Sequence, residues 1–168
     1  MSPAVSVNIL QVGVYLKYSD YLYSAKRHNY ACRLLKTKLE AFDVSERDTD
    51  NFKHVVNSLY YLSGYVIECS LKFKIFECIG YDIEKDIDPE ECKKHGINHR
   101  KKIITHSFKT LQNVLDSKIS DVSYESKEIE ITNLLSKWNP EVRYETPILN
   151  HEHVVGFYSH ANKFLKKM

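Results

Sequence analysis

One stretch of the sequence decides the fold: YYLSGYVIECSLKFKIF, residues 60–76. Its apolar residues cover nearly the whole circumference of a helix, so we expect this helix to lie at the centre of the protein. Glu68 and Lys72 nevertheless fall one turn apart in its middle, on a narrow polar stripe shared with Asn57 and Tyr61. The sequence therefore predicts a central helix whose polar stripe faces either solvent or an internal cleft.

The sequence allows two interpretations of Glu68 and Lys72. A Glu-to-Lys pair four residues apart on a helix surface contributes only about 0.3–0.5 kcal/mol and needs no function. Alternatively, Glu68 orients a basic group that lines a site. The two interpretations differ in whether the carboxylate is exposed to water.

The rest of the chain has the same helical periodicity, and its 168 residues are the usual size of one domain. Glycine and proline, at 5 and 4 residues, are rare enough to divide the chain into long segments. The predicted helices run from Asp20 to about Phe42, from Thr49 or Asp50 to near Gly80, over His106 to Leu115, from about Ser123 to Lys137, and from Asn150 to the C-terminus. The predicted fold class is all-α: a single domain over 1–168, with about five helices around a long central helix at 49–79.

Three segments fall outside these helices. Residues 1–18 are predicted to be irregular, and residues 81–104 form a polar connection with one short helical turn before Pro89. A loop that contains EVRYE lies between Pro140 and Pro147. No repeat and no strand-like alternation of apolar and polar residues interrupts this pattern.

Composition and charge limit the classes of function. The 24 basic and 22 acidic residues leave a formal charge of +2, which indicates no particular partner, and the clusters HRKK (99–102) and KFLKK (163–167) are typical of solvated faces. No apolar run approaches the roughly 18 residues of a membrane span, and the start of the chain lacks the pattern of a signal peptide. The 4 cysteines do not have framework spacing. We therefore expect a cytoplasmic protein with reduced thiols and no membrane contact.

Three motifs follow one another in the chain: LSGYVIECSLK (62–72), HSFKTL (106–111) and WNPEVRY (138–144). Together and in this order they resemble the HEPN superfamily of small all-helical domains, over residues of about 25–160. The residues that match are Leu62, Gly64, Tyr65, Glu68, Leu71, Lys72, His106, Trp138, Arg143 and Tyr144, while Phe108 stands where the family usually has leucine. The polar connection at 81–104 is not part of the resemblance.

The resemblance implies a function. Many HEPN domains are metal-independent ribonucleases that use an arginine and, after four to six residues, a histidine; Arg100 and His106 have this spacing. A histidine can exchange a proton with a ribose 2'-hydroxyl, while an arginine holds the phosphate. Lys101 stands where the family usually has a small polar residue, and Arg100 is expected in a loop. HEPN domains also imply a homodimer and a toxin or phage-defence role; the alternative is a non-catalytic module that binds nucleotide, RNA or a partner protein.

The residues of these motifs also have structural interpretations. His106 can cap the helix it opens, or form a hydrogen bond beneath the bundle. Arg143 and Tyr144 can anchor the loop between the last two helices, with Arg143 reaching Glu68 in a partly buried pair. If Arg143 instead faces a cleft beside Lys72, it is a candidate phosphate ligand.

Two further groups of residues are candidates for a metal site and a partner surface. Zinc ligands are available in Cys92, His95, His99 and His106, but tight zinc sites favour paired cysteines and this segment has a single one. We expect neither a bound metal nor a cofactor. A cluster of aromatic residues near the start of the chain is a candidate partner surface: Tyr15, Tyr18, Tyr21 and Tyr23.

Overall fold

The computed structural model describes residues 16–119 and 121–168 of the chain. Seven α-helices occur in this part, with 3₁₀ turns at Val44–Glu46 and Pro140–Tyr144 and no β-strand, so the all-α class is confirmed. The helices are α1 (Tyr18–Glu40), α2 (Asp50–Cys78), α3 (Pro89–Lys94), α4 (His99–Lys102), α5 (Phe108–Asp116), α6 (Ile129–Lys137) and α7 (His151–Leu165). None of the helices in the described ranges combines the length and the apolarity that crossing a bilayer requires.

The helix α2 is central, as predicted. It packs against α1, α5 and α7, and its side chains are buried on almost every side. Its start is capped by Thr49, whose hydroxyl oxygen accepts a hydrogen bond from the backbone N–H of Phe52 at 3.3 Å. Its end is followed by Gly80 at φ 64°, a left-handed conformation that glycine adopts without strain. The predicted range 49–79 therefore agrees with the structure to within one residue at each end.

The first and last long helices also match their predictions, with small differences at the ends. Asp20 lies inside α1 instead of preceding it, and its carboxylate accepts a hydrogen bond from the backbone N–H of Lys17 at 2.9 Å. At the other end of the chain, Asn150 caps α7 by accepting from the N–H groups of Glu152 and His153, as predicted. Residues 1–15 of the segment expected to be irregular lie outside the described residues, and so does Tyr15.

The polar connection at 81–104 contains more helix than predicted. Pro89 does not end the local order: it is the first residue of α3, because Asp88 caps this helix and proline needs no hydrogen-bond acceptor at that position. The second short helix, α4, begins after Asn98, whose side chain accepts from the N–H of Lys101 at 3.0 Å. These two helices raise the number from the predicted five to seven.

The helix predicted from Ser123 begins six residues later, at Ile129. The buried side chain of Gln112 explains the difference, because it donates to the carbonyl oxygen of Val122 at 2.8 Å and accepts from the N–H of Tyr124 at 3.2 Å. Backbone groups that a helix would have satisfied are therefore satisfied by a side chain from α5. In α5 itself, the helix begins at Phe108 and is capped by Ser107.

Candidate functional site

The pair formed by Glu68 and Lys72 is buried. The two residues are 3% and 7% exposed, and the Lys72 ammonium donates to Glu68 Oε1 at 2.7 Å. The ammonium also lies 5.6 Å from the ring centre of Tyr21. The interpretation as a solvated surface pair is therefore wrong, because both charges are removed from water and each depends on the other for compensation.

His106 is the second partner of the same carboxylate. Its Nδ1 lies 2.8 Å from Glu68 Oε2, across 38 positions of the sequence, although 53% of the histidine side chain is exposed. Because an ionised carboxylate only accepts hydrogen bonds, Nδ1 carries the proton in this contact. In the neutral ring this leaves Nε2, on the far side from Glu68, with a free lone pair. No described residue forms a hydrogen bond with Nε2. Glu68 thus fixes the orientation and the tautomer of a half-exposed imidazole.

The loop between α4 and α5 presents His106, and the start of α5 fixes its position. The helix is capped by Ser107, whose hydroxyl oxygen accepts from the N–H of Thr110, so the interpretation of His106 as the cap is wrong. Beside His106 is a cavity of about 560 Å³. Among its lining residues are His106, Phe108, Lys109, Tyr124, Trp138 and Glu141. The imidazole therefore borders a space large enough for a small ligand or one nucleotide.

Aromatic side chains pack next to His106 and its cavity. The ring of Trp138 stacks on Phe108 at 4.7 Å and meets Tyr65 edge-on at 5.2 Å, while its Nε1–H donates to the carbonyl oxygen of Tyr61 at 3.1 Å. Gly64 makes this approach possible, since a Cβ at that position would lie 2.0 Å from the indole. These contacts place the Tyr65 ring against His106, with 6.1 Å between the ring centres.

Arg143 does not reach the carboxylate. Glu68 pairs with Lys72 and His106, and within the described ranges no ion pair joins it to Arg143. The guanidinium instead lies over the Tyr144 ring, 4.6 Å from its centre, and both side chains are exposed. The proposed Arg143–Glu68 pair is therefore wrong. Arg143 remains available to an external anion.

Arg100 is exposed on α4, so its expected position in a loop is also wrong. In the described part of the chain, neither a hydrogen bond nor an ion pair links it to His106 or Glu68. The helix is only one turn long and carries four basic residues, His99 to Lys102. The role of Arg100 as a phosphate ligand stays a prediction.

Two other histidines lie near the buried pair: His28, which was not among the sequence candidates, and His99, which was a candidate only as a zinc ligand. Burial lowers the pKa of His28, and the neighbouring Arg27 lowers it further, against an opposing effect of Glu68. Burial, followed by the charge of Lys72, lowers the pKa of His99. The helical spacing of His28 offered a signal, because it lies on the buried stripe of α1 with Ala25 and Cys32.

The candidate zinc ligands do not assemble into a metal site. No group of three or more suitably placed His, Cys, Asp or Glu side chains occurs in residues 16–119 and 121–168. Cys92 is buried, and burial raises the pKa of its thiol to about 11, which disfavours the thiolate that binds zinc. The Nδ1 atom of His106 is already bonded to Glu68.

No protein-family model, curated protein or solved structure matches this chain. The resemblance to the HEPN superfamily accordingly rests on the three sequence motifs. Chemically, the site combines a half-exposed imidazole fixed by a carboxylate, a cavity beside it, and exposed cations that can meet an anionic ligand.

Proposed function

We propose that this chain is an HEPN-like ribonuclease that cleaves RNA without a metal ion, with His106 as a proton-transfer group. One observation supports this proposal most directly: Glu68 Oε2 lies 2.8 Å from Nδ1 of a histidine that is 53% exposed. A carboxylate in this position holds the imidazole in one tautomer and stabilises the imidazolium formed during proton transfer.

The chemistry of RNA cleavage suits this arrangement. Attack of the ribose 2'-hydroxyl on the adjacent phosphate needs a proton removed from one oxygen and delivered to another, and negative charge gathers on the phosphate. Exposed Arg100 or Arg143 would then bind the phosphate through its guanidinium. Substrate binding would have to bring either arginine to His106, since neither forms a polar contact with it in the described residues.

The buried position of Lys72 has a role in this proposal. It supplies the charge that lets Glu68 remain a carboxylate away from water, while the other carboxylate oxygen is left for His106. Lys72 and Glu68 are positioning residues, because neither is exposed enough to touch a substrate. In this proposal, the charges of the central helix serve the histidine on the neighbouring loop.

The test is incubation of labelled total RNA with purified protein, with and without a chelator. Wild-type protein should cleave in both conditions, and His106→Asn should lose about 100-fold or more of the rate while keeping its helical circular dichroism spectrum. His153→Asn is the matched control, because His153 is exposed at the start of α7 and takes no part in the site. Full activity of His106→Asn would contradict the proposal.

The alternative is a non-catalytic module that binds nucleotide, RNA or a protein partner. The exposed basic turn of α4 and the cavity beside His106 favour this class, since both can hold an anion without any chemistry. Wild-type protein that binds labelled RNA but leaves it intact would replace the ribonuclease proposal with this one.

A further inference from the structure

We infer that His28 is the second proton-transfer group of this site, acting as general base while His106 acts as general acid. The inference rests on the proposed ribonuclease function. Two imidazoles from distant parts of the chain meet the same phenol ring: the ring centre of Tyr65 lies 5.6 Å from His28 and 6.1 Å from His106. Both separations fall in the range of direct aromatic contact.

The charges around the two histidines differ, and this difference assigns their roles. His28 is half-buried on α1 next to Arg27 in the sequence. Burial and the charge of Arg27 lower its pKa, and the carboxylate of Glu68 acts in the opposite direction. His28 is therefore neutral near pH 7 and able to accept a proton. His106 donates directly to Glu68, and a protonated imidazole in this position is stabilised by the carboxylate.

Burial raises the pKa of the Tyr65 phenol, so the ring that contacts both histidines stays neutral and does not compete for the proton. His99 also has a lowered pKa, but the charge that lowers it, after burial, is Lys72, and no ring contact joins His99 to Tyr65 in the described residues. Of these two histidines, His28 is thus the one that contacts the same ring as His106.

The proposed step is an attack within the RNA itself and needs neither water nor any other reactant. Neutral His28 takes the proton of the ribose 2'-hydroxyl, and the 2'-oxygen forms a bond to phosphorus. The bond from phosphorus to the 5'-oxygen breaks, and His106, which enters the step protonated on both ring nitrogens, gives the proton of its Nε2 to that oxygen. The products are a 2',3'-cyclic phosphate and a 5'-hydroxyl end, with His28 protonated and His106 neutral.

A substrate with sulfur in place of the 5'-bridging oxygen separates the two roles, because a thiolate leaves without a proton. On ordinary RNA, His28→Asn and His106→Asn should each lose about 100-fold or more of the cleavage rate. On the sulfur substrate, His106→Asn should recover a rate close to that of wild-type protein, whereas His28→Asn should remain slow. His153→Asn should match wild-type protein on both substrates.

Each outcome decides something different. If wild-type protein cleaves RNA and His28→Asn and His28→Gln are as fast as wild-type protein, the inference about His28 fails while the proposed function stands. Rescue of His28→Asn by the sulfur substrate would overturn its role as base. Wild-type protein that cleaves neither substrate overturns both. NMR of the imidazole resonances of wild-type protein needs no variant: an uncleavable 2'-deoxy dinucleotide should shift the signals of both His28 and His106, and unchanged His28 signals would also overturn the inference.

Discussion

At the scale of single residues, Glu68 is the centre of a small charged network. One oxygen of its carboxylate accepts from Lys72 and the other from His106, so a single side chain connects a buried cation with a half-exposed imidazole. Buried charges of this kind are tolerated only while each is paired. Stability and the orientation of His106 therefore depend on the same group.

Glu68→Gln should lower both the stability and the activity of the protein. The amide leaves the Lys72 ammonium buried without a counter-charge, at a cost of about 3 kcal/mol in the free energy of unfolding. Thermal melting would show this loss, and a cleavage assay would show the effect on His106. The double variant Glu68→Gln with Lys72→Met should recover part of the stability but not the activity. A Glu68→Gln variant as stable as wild-type protein would contradict the proposal that Lys72 needs this carboxylate as its counter-charge.

Gly64→Ala should destabilise the fold, although alanine is the better helix former. The added Cβ would lie 2.0 Å from Trp138, and the indole would have to leave its stack on Phe108. Overpacking of this type costs about 1–3 kcal/mol, which exceeds the gain in helix propensity. Chemical denaturation of Gly64→Ala gives the measurement, and Gly156→Ala on α7 is a milder comparison because its Cβ would meet a single methyl at 3.1 Å. Equal losses in the two variants would argue against the packing explanation.

At the scale of helices, α1 and α4 each bring a histidine with a lowered pKa towards α2. A histidine whose pKa is lowered in the folded state binds fewer protons there than in the unfolded chain. Unfolding therefore takes up protons below the ordinary histidine pKa of about 6.5, and stability falls as the pH falls through this value. Above it, both states are neutral and the full stability is present.

The melting temperature should consequently decrease between about pH 7 and pH 5, before most carboxylates titrate. The charges of Arg27 and Glu68 act on His28, whose ring contacts Tyr65, and the charge of Lys72 acts on His99. The cations therefore oppose protonation at both positions. The variant His99→Asn, which carries no titrating ring, should show a smaller decrease, and the exposed His153→Asn should follow wild-type protein. A melting temperature independent of pH in this range would contradict the prediction.

Helices were predictable where local sequence determines them. Thr49 and Asn150 cap α2 and α7 through groups two or three residues away, and the sequence reveals both. Pro89 was ambiguous, because proline both ends helices and occupies their first position. The late start of α6 depends on Gln112, whose bonds to Val122 and Tyr124 come from another helix and leave no local pattern.

The candidate site, like the helices, was predictable only in part. Glu68 and Lys72 stood out because charges interrupt an apolar helix, and His106 stood out through the motifs. Their contact could not be read from periodicity, since 38 positions separate the carboxylate from the imidazole. The proposed Arg143–Glu68 pair failed for the same reason: spacing along the chain does not determine which of several cations reaches a buried anion.

At the scale of the whole molecule, α1 has an apolar stripe that faces solvent. Tyr23, Tyr30 and Leu34 are 67%, 56% and 54% exposed, and their spacing places them on one side of the helix. The opposite side of α1 packs on α2 and contains His28. The resemblance to the HEPN superfamily implies a homodimer, and we propose this stripe as the surface through which two copies pair.

The protein should therefore be a dimer at micromolar concentration, and sedimentation should give twice the mass of the chain. Tyr30→Glu with Leu34→Glu should shift it to a monomer, because opposed carboxylates would meet at a two-fold interface. Lys53→Glu, at an exposed position of α2, is a control for added negative charge. A wild-type protein that sediments only as a monomer would contradict the predicted dimer.

The position of Trp138 has a practical consequence. It is the single tryptophan of the chain, it is buried, and it touches both Phe108 and the Tyr65 ring that contacts His106. Its emission should be blue-shifted in the folded protein and move to longer wavelength when the indole meets water. A ligand that enters the neighbouring cavity would change the same signal, so the protein contains its own optical reporter of occupancy and of unfolding, without any attached dye.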